Sequence, residues 1–176
     1  MKKIIALGGS NSKHSINKTL AVYVASQLED VEVVVVDLND YDIPLYGIDI
    51  ENTDGIPKDV TRLNDLLVSA DGVVISLAEH NGSYAAAFKS VYDWLSRIDT
   101  NVWKNTPMFL MAASPGGRGG ATVLQAAMTT FPRMGATIVT SFSLQAFHTN
   151  FTENGMSDAA LNADLKQKIH LFQNAI

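Results

Sequence analysis

The chain has 176 residues, 47% apolar and 18% charged, which is the make-up of a globular fold and not of a disordered segment. A net charge of -5 with no basic stripe argues against general nucleic-acid binding, and the absence of cysteine excludes disulfides, thiol catalysis and cysteine metal sites. A single domain over residues 1–176 is expected, cytoplasmic and without a membrane partner, since no signal peptide follows Lys2-Lys3 and no stretch nears the roughly 18 apolar residues of a span.

Ile4 to Leu7 form a short apolar run, as in a strand buried on both faces of a parallel sheet. Gly8 and Gly9 break it, and a turn rich in hydroxyls and amides leads into Ile16, Leu20 and Val24 at helical spacing. A strand, a polar turn and a helix N-terminus make a natural anion site, because free backbone N–H groups and the helix dipole converge there. Two readings fit the turn: a phosphate cradle, or a connection whose serines only cap the helix. The Gly-Lys-Ser/Thr triplet of a P-loop is missing, and Ser10 and Lys13 stand where a dinucleotide fingerprint needs glycine. Asp37 lies well beyond the offset of about 20 residues at which that fingerprint places its ribose-binding acid. The side chains of Ser10, Ser12, Ser15 and Asn17 suit one phosphomonoester better than a bridging pyrophosphate.

Val31 to Leu38 reads as a second strand, because β-branched residues favour the extended form. Asn39 to Pro57 carries Pro44, Gly47, Gly55 and Pro57 without sustained periodicity and is expected to be a long loop. Its apolar residues Ile43, Leu45, Tyr46 and Ile48 suit either a subunit interface or a lid folded back on the sheet. Val60, Leu63, Leu66 and Leu67 mark a helix that Asp71-Gly72 closes, and Val73 to Leu77 forms the third strand. The polar loop Ala78 to Ser83 follows, with Asn81 or Ser83 as a candidate cap for the next helix. Phe88, Val91, Tyr92, Leu95 and Ile98 give that helix its apolar face. Asp93 and Trp94 are expected to pack it on its neighbours, and Trp103 to face a partner subunit.

Pro107 introduces the fourth strand, Met108 to Ala112, which runs into the loop Ser114 to Gly120. Four glycines there leave the backbone bare, which either admits a planar ring or merely loosens the loop. A helix from about Ala121 to Met134, a fifth strand at Thr137 to Thr140, an irregular tail and a closing helix over about Ser157 to Asn174 complete the chain. The four histidines have no metal-ligand spacing, so no metal site is expected. Five strands alternating with helices imply an open parallel α/β sheet with helices on both faces, and right-handed crossovers favour the order 2-1-3-4-5. The polar loops after strands 1, 3 and 4 then open on one edge, at the switch point where ligands of such sheets collect.

Together the three loops are similar to those of the NAD(P)H-dependent FMN reductases, flavodoxin-like three-layer sandwiches that include quinone, chromate and azo-dye reductases. The family's Gly-Ser-x-Arg-x-x-Ser-x-Asn is matched by Gly9 to Asn17, and its Pro-Glu-Tyr-Asn-Gly-Ser loop by Ala78 to Ser83. The Leu-Lys-Asn-x-x-Asp-Trp helix corresponds to Phe88 to Trp94, and Ser-x-Gly-x-x-Gly-Gly to Ser114 to Gly120. The chain departs from the pattern at three places. Ser12 replaces an arginine, so Lys13 or additional hydroxyl bonds must supply what a bidentate guanidinium would. Ala78 replaces a proline, and His80 a tyrosine beside the ring. These changes bear on FMN affinity and redox tuning.

The resemblance implies bound FMN, with its phosphate at Ser10, Ser12, Ser15, Ile16 and Asn17. The ring would lie between Ala78, Glu79, His80 and Asn81 on one side and Ser114, Gly116 and Gly117 on the other. NAD(P)H would be the transient co-substrate and a small-molecule electron acceptor the second, with no catalytic acid or base in the protein. Arg118 would steer the pyridine nucleotide or simply face solvent. A homodimer or homotetramer is implied as well. The alternative is a flavodoxin-like electron carrier, or an FMN-binding sensor, without nicotinamide oxidation.

Overall fold

The computed structural model describes residues 1–176. Five parallel strands form one sheet: β1 (Lys2–Gly9), β2 (Val31–Val36), β3 (Gly72–Leu77), β6 (Pro107–Ala113) and β7 (Thr137–Leu144). The small antiparallel pairs β4 (Glu79–His80) with β5 (Ser83–Tyr84) and β8 (Phe151–Thr152) with β9 (Gly155–Met156) take the intervening numbers. The sheet order is β2-β1-β3-β6-β7, the expected 2-1-3-4-5 counted over the parallel strands, and the fold is flavodoxin-like. In β1 the pleat sends Ile5 and Leu7 into a core of 25 buried residues on one face. Ile4 and Ala6 enter a core of 18 on the other. Both faces being covered is why these strands read as continuous apolar runs.

The first core lies under α3 (Lys58–Val68), α4 (Ala86–Ile98) and α5 (Ala121–Thr130). The second lies under α1 (Ile16–Ala25) and α7 (Ala159–Gln173), with the single turn α6 (Phe147–Asn150) beside them. Strand β2 stops at Val36, short of the expected Leu38, because the Asp37 side chain accepts from the N–H of Asn39 and starts a 3-10 turn. The outer edge of β2 pairs with nothing, and Val35 there is 48% exposed.

The expected long loop contains a short helix, α2 (Ile48–Asp54), that buries no residue and therefore shows no apolar periodicity. It is held from outside: Glu51 pairs with Arg97 at 2.9 Å and accepts from the Tyr46 hydroxyl at 2.9 Å. The preceding segment is pinned to α4, where Trp94 Nε1 and Ser90 Oγ donate to the Pro44 carbonyl at 2.9 and 3.0 Å. Ile43 and Tyr46 accordingly fold onto the first core, while Leu45 and Ile48 stay exposed. Trp94 packs α4 inward as expected, and Asp93 pairs with Lys89 on the surface. Trp103 faces no partner. It is buried, with its ring 4.7 Å from Phe131 in the turn after α5 and 5.9 Å from Tyr92 of α4, so that its indole joins their aromatic cluster inside the chain.

Candidate functional site

Each wall of the site begins at the carboxyl end of a strand. At the end of β1 the chain turns sharply, with Ser10 N–H donating to the Gly8 carbonyl at 2.8 Å. Gly8 is required there, since a Cβ would stand 2.6 Å from the backbone of Lys18 and force α1 off the sheet. Three serines then build the turn in steps. Ser10 Oγ accepts from Ser12 N–H at 3.1 Å, Ser12 Oγ from His14 N–H at 3.3 Å, and Ser15 Oγ caps α1 by accepting from Lys18 N–H at 3.1 Å. Each hydroxyl spends its oxygen on the backbone and retains its own O–H proton as a donor. The first-turn amides of α1 point the same way, with no partner inside the helix.

Asn17 lines this pocket, but its carboxamide is committed elsewhere. Oδ1 accepts from Ser76 Oγ at 2.7 Å and from Ala113 N–H at 2.8 Å, and Nδ2 donates to the Ala113 carbonyl at 3.2 Å. The side chain therefore ties α1 to β3 and β6, leaving the Asn17 backbone N–H to face an anion.

The second loop is a hairpin. Asn81 and Gly82 take φ of 52° and 76°, the left-handed pair that a two-residue turn between β4 and β5 requires. Neither Asn81 nor Ser83 caps α4, which begins after Ala85 without a side-chain cap. Glu79 instead caps the helix beyond the third loop. Its carboxylate accepts from the N–H groups of Thr122 and Val123 at 2.9 and 3.0 Å, because Gly120 at the start of α5 has no side chain to do so. In β5, burial pushes the Tyr84 phenol up and its hydroxyl bonds Thr130 Oγ1 at 3.1 Å, so the phenol stays protonated.

The four glycines of the third loop divide by role. Gly116 and Gly117 are exposed with open space beside them. Gly119 and Gly120 have φ of 60° and 72° and are packed; a Cβ on Gly119 would lie 2.3 Å from Ser143 Oγ. Arg118 is exposed and donates to Thr122 Oγ1 at 3.0 Å.

The three loops enclose a cavity of about 490 Å³. Of the expected residues, Ser10, Ser12, Ser15, Ile16, Asn17, Ala78, Glu79, His80 and Ser114 line it. Asn81, Gly116 and Gly117 are exposed and lie outside its wall, one to two residues along the chain from lining positions. His14, Ala113, Pro115 and His148 also line it without having been anticipated. His14 was legible as part of the loop motif, whereas His148 arrives through α6, held by the Phe147 N–H donating to the Ser114 carbonyl at 3.0 Å. A larger groove of about 960 Å³ runs along the outer side of α1, where Lys18 pairs with Asp37 and lowers the carboxyl below its usual range. It gathers none of the three loops.

Residues 2–149 match the family described as NADPH-dependent FMN reductase. The chain is 33% identical over 123 residues to a quinone reductase of Escherichia coli (strain K12), covering 68% of this chain and 63% of that protein. It is 30% identical over 122 residues to an NADPH azoreductase of Bacillus sp. (strain OY1-2), covering 69% and 64%. These alignments thus span under two thirds of the relatives' length. Among solved structures, the flavoenzyme NAD(P)H:(acceptor) oxidoreductase of Paracoccus denitrificans superposes with a TM-score of 0.80 over 99% of this chain and 96% of that one, at 24% identity.

Proposed function

This chain belongs to the NADPH-dependent FMN reductase family, and we propose that it passes reducing equivalents from NAD(P)H to a small acceptor through one FMN held in the three-loop cavity. The observation that supports this most is the donor set. Three serine hydroxyls with unspent protons surround the start of α1, which is the chemistry a phosphomonoester needs. Bound FMN supplies acceptance and release of the electron pair, and the protein supplies binding, orientation and electrostatics.

The protein's share can be followed residue by residue. Ala78 and Ala113, buried at the strand ends, present a small-residue floor against which a flat ring can lie. Glu79 fixes the spacing of the ring's two walls by tying the hairpin to α5. Gly116 and Gly117 leave the outer side open for nicotinamide and acceptor. The relatives named above make a quinone-type acceptor our choice. The chain acts as one domain, and a homodimer or homotetramer would cover the exposed Leu45 and Ile48.

Stopped-flow mixing of the FMN-loaded protein with NADPH or NADH tests the reading. Rapid bleaching of the flavin is expected, followed by recolouring with a quinone. A yellow protein that neither nicotinamide bleaches would instead be a carrier or sensor, and an apoprotein that FMN does not reconstitute would end the proposal.

A further inference from the structure

A phosphate carries close to two negative charges near neutrality, yet no lysine or arginine lines the cavity proposed to take one. The groups in its wall able to carry positive charge are His14, His80 and His148. His14 sits in the phosphate turn, directly before the residue that caps α1. His148 reaches the same cavity from α6, whose Phe147 lines a groove together with Lys18 and Thr19 of α1. His80 belongs to the hairpin wall assigned to the ring. The three do not form a metal-binding group.

The neighbouring charges are already engaged or stand elsewhere. Lys13, in the same turn, is exposed and outside the wall. On α1, Lys18 is paired with Asp37. Glu79, the sole carboxylate in the wall, is bound to the start of α5. Within the third loop Arg118 donates to Thr122, and Glu153, after α6, lines the outer groove with Asp40.

We propose that protonated His14 and His148 are the cationic contacts of the flavin's phosphate, so that FMN is held tightly in mildly acid solution and released as pH rises. The inference rests on the FMN reading of the cavity and adds to it a pH-dependent grip on one end of the ligand. Imidazole is the side chain whose charge ordinarily changes between pH 5 and 8. The direction of the effect separates this from a site made of hydroxyls and amides alone. The phosphate's own second ionisation, near pH 6, would make such a site bind FMN better as pH rises, not worse.

Titration of the apoprotein with FMN and with riboflavin, followed by quenching of flavin fluorescence at about pH 6.5 and pH 8.5, provides the test. The FMN dissociation constant is expected to rise about tenfold to a hundredfold between the two, the range of one lost charge-assisted hydrogen bond or more. Riboflavin, which lacks the phosphate, should change little. In the His14→Gln/His148→Gln double variant FMN should bind weakly at both pH values. Adding Ser12→Arg to that variant should restore tight FMN binding that no longer weakens at the higher pH. Both substituted histidines are exposed, and neither belongs to the buried core. An FMN-to-riboflavin affinity ratio that is flat with pH, or one that falls equally in the double variant, would overturn the histidine assignment while leaving the FMN site intact. Failure of both flavins to bind at either pH would overturn the site and the assignment together.

Discussion

Asn17 shows how one residue type can satisfy two demands that a sequence does not separate. A polar side chain in the first turn of a helix beside a phosphate loop reads as a ligand, and the neighbouring serines reinforce that reading. The carboxamide nevertheless serves as a cross-tie, meeting the backbone of Ala113 in both directions and the hydroxyl of Ser76. All three residues are buried, so their polar groups have no water to turn to. Asn17→Ala should therefore cost about 3 kcal/mol, the scale of buried partners left unpaired, and urea unfolding would measure it. A loss below about 1 kcal/mol would mean that the tie is dispensable. The serines of the first loop were legible because they are contiguous in the chain. His148 was not, because only the docking of α6 brings it to the cavity.

At the level of elements, the strands announced themselves as unbroken apolar runs, whereas α2 left no such signature. A helix that buries nothing imposes no period on its residues, and its support comes from Arg97 and Tyr46 outside it. The Asn81-Gly82 turn was visible as a dipeptide, but its effect on the start of α4 depended on the hairpin closing. The end of β2 offers a test in solution. The Lys18 hydrogen bond, followed by the N–H of Asn39, holds the Asp37 carboxyl below its ordinary 3.8. A carboxyl with a lowered native value stabilises the fold above the ordinary range and loses that contribution as pH falls through the native value. Asp37→Asn should thus cost about 0.5–1 kcal/mol at pH 7, and the difference from the parent protein should vanish toward pH 2, as thermal unfolding across that range would show.

For the molecule as a whole, the sheet order followed from the alternation of strands and helices and from the handedness of their crossovers, which is why the switch-point cavity could be expected before any contact was known. What the alternation could not supply was the division of labour among loops, such as the capping of α5 from the far side by Glu79. The same order leaves β2 on the outside, a strand of five valines and one glutamate with an unsatisfied row of backbone donors and acceptors. Such a strand is a template on which another chain can add itself, and a single charge is among the commonest means of preventing it. Glu32, exposed in that strand, is placed to do so. Glu32→Val should leave flavin binding unchanged while the protein becomes turbid on gentle heating, read by light scattering. Solubility at working concentration would then depend on a residue remote from the chemistry, and the colloidal behaviour of the protein would be decided along one unpaired margin.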